Sequence, residues 1–436
     1  MSISSRATFG TAEGDRSTAQ PAEQKGHLPT LVASFLHFDL SFMLWVLPGA
    51  LGVFIAASLH LSTSEKALVV AVPILSGSLL RMPLGLLSDR VGAKRVGQAM
   101  LAVLYLPLTL GWLAGHSLAS WLAIGLLLGT AGASFAVALP LASRWYPAER
   151  QGLVMGIAAA GNSGTVIANL LAPRLANMVG WQNVLGLAML PLSLVFVAFS
   201  LAAKDSPATR TERASESAEP LIRQPDLWWF CLIYSVTFGG YVGLSSFFPI
   251  FLRDQYGVSA VTAGYLTAVV AFCGSVVRPL GGHLADRLGG LRMLSALLLG
   301  ISAAYLLVAT LPPLALLMPV ASIGVACLGM GNGAVFQLVP RRFQPRIGVA
   351  TGIIGACGGI GGFLLPNLLA NAKALSGSFG PGFVVLAVCA FAAFLMLRAL
   401  ALIHEHWRVS WRGREARSAG PMAAAPVRVL MAPNLM

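Results

Sequence analysis

The chain of 436 residues is 56% hydrophobic and 10% charged, with a mean hydropathy of +0.77. A soluble domain carries roughly a quarter of its residues charged, so this composition excludes one and predicts an all-α polytopic membrane protein. The net charge of +13 would suit a nucleic-acid binder, but its placement along the chain excludes nucleic acid as a partner.

Residues 1–30 are polar, rich in Ser, Thr, Ala and Gln, and lack the charged-then-apolar layout of a cleaved signal. They predict a disordered cytoplasmic leader. Twelve apolar stretches follow, each long enough for a helix to cross a hydrocarbon core of about 30 Å. Six of them, 31–58, 64–88, 95–115, 119–145, 150–173 and 181–203, form a first half at 31–203. Residues 204–226, KDSPATRTERASESAEPLIRQPD, are polar and proline-bearing and predict a flexible cytoplasmic linker. The other six, 227–252, 260–286, 291–311, 314–339, 347–371 and 379–403, form a second half at 227–403, and 404–436 is a basic cytoplasmic tail. Cys231, Cys273, Cys327, Cys357 and Cys389 fall in separate stretches without metal-ligand spacing, so buried free thiols are expected.

With the N-terminus inside, the inward-facing segments hold 23 Lys and Arg, against four on the opposite face, Lys66, Arg174, Arg253 and Lys373. This is the positive-inside pattern. It makes the basicity topological and puts both termini in the cytoplasm, with the chain in the inner (cytoplasmic) membrane. Arg81 and Arg278 belong to neither set.

The two halves repeat one another. GSLLRMPLGLLSDRVGAKR (77–95) aligns without gaps on GSVVRPLGGHLADRLGGLR (274–292), with 9 of 19 positions identical. Gly77/Gly274, Arg81/Arg278, Gly85/Gly282, Asp89/Asp286 and Arg90/Arg287 are among the matches. Pro83 and Pro279 fall out of register. A parallel duplication of six helices has the layout of the major facilitator superfamily, whose substrates bind near mid-membrane between the halves. GLLSDRVGAKR resembles that superfamily's loop signature between its second and third helices.

Asp89 should mark the cytoplasmic end of the second helix. Arg81, eight residues earlier, then lies about 12 Å deeper and on nearly the same face. The repeat puts Arg278 at the equivalent depth across the interface. A charge there costs about 2.5–3.5 kcal/mol or more and needs a partner or a wet cavity. Asp39 is the one acid in the middle of an apolar stretch; the others fall at helix ends, loops or tails. At least one guanidinium is therefore left for an incoming anion. The alternative, that each arginine binds backbone carbonyls or snorkels outward, requires the same accident in both repeats. Guanidinium suits flat oxyanions and phosphates alike. Asp89, Arg90, Asp286 and Arg287 are candidate cytoplasmic gating residues.

MGIAAAGNSGTVIANLLAP (155–173) and TGIIGACGGIGGFLLPNLLA (351–370) are dense in glycine. Close packing of helices through small residues explains much of this; close approach of bare backbone to a very small substrate, with Asn162 as amide donor, would explain the rest. GNSG (161–164) and GACGGIGGF (355–363) resemble the paired nitrate signatures of the nitrate/nitrite porter family, with Ala159 breaking the glycine spacing of the first. FDLSFMLWVLPGALG (38–52) and YSVTFGGYVG (234–243) are similar to that family too, especially to bacterial assimilatory members. The resemblance implies an anion clamped by Arg81 and Arg278, with Asn162 as signature amide and Tyr234, Phe238 and Phe135 packing against it. The signature glycines are then Gly161, Gly164, Gly355, Gly358, Gly359, Gly361 and Gly362.

The expected function is uptake of nitrate or nitrite by alternating access, proton-coupled through Asp39 beside His37, by a monomer in the lipid bilayer. Nitrate/nitrite antiport, an organophosphate or phosphate exchanger and a membrane nitrate sensor are the alternatives. No phosphate loop, metal cluster or nucleophile with a base points to an enzyme, and no cofactor or metal is expected.

Overall fold

A computed structural model describes residues 26–206, 219–343, 347–403 and 407. Most of the leader, the middle of the linker and nearly all of the tail lie outside the described residues. Among the described residues there are twelve helical spans: α1 (Leu28–Ala50), α2 (Thr63–Val91), α3 (Ala93–Ala114), α4 (Leu118–Ser143), α5 (Val154–Val179), α6 (Trp181–Ala202), α7 (Pro225–Tyr256), α8 (Ala260–Leu288), α9 (Gly290–Ala309), α10 (Leu314–Val339), α11 (Val349–Ser376) and α12 (Gly380–Ile403). Large apolar side chains such as Leu190, Leu194, Leu306 and Val388 stay exposed on the outside, because the bilayer, not protein, is their solvent.

Several spans that hydropathy reads as continuous are interrupted. α4 breaks between Gly132 and Phe135, α5 tightens into a 3₁₀ turn at Ala160–Ser163, and α8 breaks at Val277. The last break explains the out-of-register proline: Pro279 sits in the first turn of the new segment Arg278–Leu288, where its missing N–H costs little, whereas Pro83 lies inside the unbroken α2. Both repeat helices end alike, on Gly92 at φ 111° and Gly289 at φ 95°, backbone conformations open to glycine and costly for other residues.

Glycine contacts bring the helices together. A Cβ added at Gly77 of α2 would meet the Gly129 carbonyl of α4 at 2.7 Å, and one added at Gly329 of α10 would collide with the Gly274 carbonyl of α8. Between the halves, α11 lies against α2 through Gly359 at Ser78; within the second half it lies against α7 through Gly358, Gly361 and Gly362. Cys231 is buried as expected, but Cys389 is exposed, since it falls on the outer face of α12.

Candidate functional site

Arg81 is fully buried, and its guanidinium is held from both halves. Nε donates to the Gly132 carbonyl at 3.0 Å, and Nη1 donates to the Gly355 carbonyl of α11. The α4 break supplies the first acceptor: the Ala136 N–H turns to the Ala133 carbonyl at 3.0 Å and leaves that of Gly132 free. The guanidinium carbon lies 5.3 Å from the Trp45 ring centroid, 5.4 Å from Phe135 and 4.8 Å from Phe238. Such cation–π contacts contribute about 0.5–2 kcal/mol each, but neutral rings do not cancel the charge.

Arg278 is also buried, and its guanidinium carbon lies 5.9 Å from the same Phe135 centroid. The two cations therefore stand at most about 11 Å apart across one ring. Among the described residues neither makes an ion pair, and each keeps one buried nitrogen, Nη2 of Arg81 and Nη1 of Arg278, without a hydrogen-bond partner. Backbone carbonyls do hold Arg81, so that reading is correct for part of one guanidinium.

Around this pair an aromatic box closes. Tyr234 and Phe238 stack at 5.0 Å with 6° between planes, and Phe336 meets Tyr234 edge-on at 5.0 Å and Phe135 at 5.4 Å. The Tyr234 hydroxyl is buried beside both arginines, with the Arg278 guanidinium placed to donate to it, though outside strict hydrogen-bond geometry. Asn162 lies in the 3₁₀ turn of α5, 1% exposed, with its side-chain oxygen unpartnered. A flip of the near-isosteric amide presents its N–H₂ in the same place.

The glycines divide by role. Gly355 is the signature glycine that abuts the cation, its Cβ position 3.4 Å from Arg81 Nη1 and 3.9 Å from Phe135. Gly161 and Gly164 abut the α1 backbone at Asp39 instead, and Gly358, Gly359, Gly361 and Gly362 serve helix packing. Asp39, half-buried, accepts from the Ser163 hydroxyl at 2.6 Å. His37 points elsewhere, its Nε2 3.2 Å from the Gly97 carbonyl and its ring against Phe199, so the two neighbours on α1 do not form a pair.

A cavity runs from Arg81 past Gly85 to Asp89 and Arg144, with Thr351 and Gly352 as its opposite wall. Asp89 accepts from Arg144 Nη2 at 2.6 Å, and Asp286 accepts from Gln337 at 2.8 Å. Both contacts stay within one half. Arg90 and Arg287, expected alongside them, are exposed at the helix ends and make no ion pair among the described residues. At the other end of α2, Lys66 meets Asp254 of α7 at 2.8 Å and ties the halves together.

Trp45, Phe336 and the Gly132 carbonyl were not singled out from sequence. Phe135 and Phe336, which close the similar tetrapeptides GASF (132–135) and GAVF (333–336), meet across the site.

Two six-helix halves meeting around a pair of buried arginines have the architecture of a secondary transporter. Residues 33–366 match the Major Facilitator Superfamily, and the chain belongs to it. The nitrite extrusion protein of Bacillus subtilis is 35% identical over 359 residues, covering 82% of this chain and 90% of the relative. The probable nitrate transporter NarT of Staphylococcus epidermidis is 30% identical, covering 86% and 95%. The probable nitrate/nitrite antiporter NarK1 of Thermus thermophilus is 32% identical, covering 87% and 93%. Within the superfamily the chain is a member of the nitrate/nitrite porter family, as its GNSG and GACGGIGGF segments implied.

Proposed function

We propose that this protein carries nitrate, and nitrite with it, across the cytoplasmic membrane as a monomer, the anion held between Arg81 and Arg278. The observation that carries this reading is the pair of buried guanidiniums around Phe135, each with an unused N–H and neither paired with a carboxylate among the described residues. A charge in a low-dielectric site is costly unless neutralised, and a small flat anion supplies both the charge and the acceptors. The aromatic box suits its plane. Asn162 adds an amide at the edge.

The conformation favours release toward the basic, cytoplasmic face: the cavity leads from Arg81 to Arg144, while Lys66–Asp254 closes the other face. Asp89 and Asp286 secure the cytoplasmic ends of their own halves, with Arg90 and Arg287 left to solvent and lipid headgroups. Uptake against an inside-negative potential costs an anion about 2.3 kcal/mol per 100 mV, so a driving ion or counter-anion is required. Asp39, bonded to Ser163 next to Asn162, is the proposed proton site. Exchange for internal nitrite is the second reading, favoured by the Asp39 carboxylate being satisfied by a hydroxyl rather than facing the arginines.

Nitrate uptake into proteoliposomes tests this. Concentrative uptake that follows an imposed pH gradient supports proton coupling; uptake that requires internal nitrite and ignores the gradient supports exchange; no nitrate uptake under either condition overturns the substrate assignment.

A further inference from the structure

Asn332 of α10 is fully buried, and both its amide oxygen and its amide nitrogen lack hydrogen-bond partners. An amide buried so has given up its hydrogen bonds to water without replacement, and native interiors leave few such groups.

Helical register places it. α10 is continuous from Leu314 to Arg342 in this region, so its residues advance by about 100° each. Gly329 and Gly333, on one stripe, press on the α8 backbone at Gly274 and Arg278. Gly331, on another, presses on Thr237 of α7, its Cβ position 2.8 Å from the methyl. Asn332 falls between these stripes on the same side as Phe336, one turn later, which contacts Phe135 and Tyr234. The side facing the cleft between α7 and α8 is thus the side that carries the arginine–aromatic site. Thr237 shares a face of α7 with Tyr234, and its hydroxyl is also buried and unpartnered.

On the reading that the site binds nitrate, we infer that Asn332 is a further binding residue whose amide N–H₂ donates to the anion and sets preference between nitrate and nitrite. Nitrate presents three oxygens at the corners of a plane, and nitrite two. Two arginines engage two oxygens of either anion, and a donor from α10 finds an acceptor in the third oxygen of nitrate alone.

The test uses the full-length protein in detergent, with nitrate and nitrite dissociation constants and thermal stability measured for wild type, Asn332→Leu and Arg81→Lys. Loss of a hydrogen bond to a charged acceptor predicts about a ten- to hundredfold weaker nitrate affinity in Asn332→Leu, with nitrite affinity changed several-fold less. Its melting temperature should hold or rise, since the buried unpaired amide is gone. A Leu variant that is more stable and binds both anions as wild type does, or loses both equally, overturns the inference. Should that variant not fold, Asn332→Ser, which shortens the reach without adding apolar bulk, carries the same expectation and the same refutation. Arg81→Lys separates the two layers: wild-type affinity there refutes the anion site itself, whereas loss there with no change at Asn332 refutes only the role of Asn332.

Discussion

The two arginines come from equivalent places in one repeated segment and are held very differently. Arg81 projects from an unbroken helix, with a carbonyl from each half and three rings around it. Arg278 opens a new helical segment after the break at Val277, and among the described residues its ring contact is Phe135. Each acid is held within its own half: Asp89 accepts from the Arg144 guanidinium, and Asp286 accepts from the Gln337 amide. Duplication copies a helix and its side chains, but each copy meets partners from elsewhere in the chain. One cation thus bridges the halves through backbone carbonyls, and the other starts a helical segment beside Tyr234 and Phe135.

Substituting the arginines should have the largest effect. Arg81→Lys and Arg278→Lys are each expected to weaken nitrate binding at least about a hundredfold, because a point charge cannot replace the planar fork. Arg81→Lys should also lower the melting temperature, since it loses a contact between halves, while Arg278→Lys should leave it nearly unchanged. Equal stability losses would break the comparison, and wild-type affinity in both would remove the clamp.

Asp39→Asn should abolish nitrate accumulation driven by a pH gradient yet keep nitrate counterflow, as the site itself is intact. A variant that still accumulates nitrate under that gradient takes Asp39 out of the coupling. Pro279→Met gives the second half the residue that follows Arg81 in the first. Restoring the missing backbone donor should mend α8, raise thermal stability by a few degrees and weaken nitrate binding several-fold by redirecting Arg278; unchanged affinity would mean that the break does not aim the side chain. The smallest effect is expected at Asp89→Asn. Its partly exposed pair with Arg144 is worth about 1 kcal/mol or less, so stability should barely move, while labelling of a cysteine placed at Thr351 on the cavity wall should increase.

The sequence alone determined the twelve spans, the internal repeat, the two mid-depth arginines and the family, because hydropathy, charge placement and repetition are properties of residues in order. It also pointed to the aromatic residues Phe135, Tyr234 and Phe238 through the family signature. His37, next but one to Asp39 in sequence, turns its ring away to pack between α3 and α6, and most signature glycines seat helices, as close packing through small residues would have them do. The breaks in α4 and α8 were hidden because hydropathy averages over a window and reads each span as one helix, even with Arg278 at the second break. Only the tertiary structure decided that the freed Gly132 carbonyl would meet Arg81, that Arg144 would take Asp89, and that Trp45 and Phe336 would join the box. Those choices depend on how helices remote in sequence cross, and a crossing is set by the whole packed bundle, glycine against backbone, rather than by any one segment.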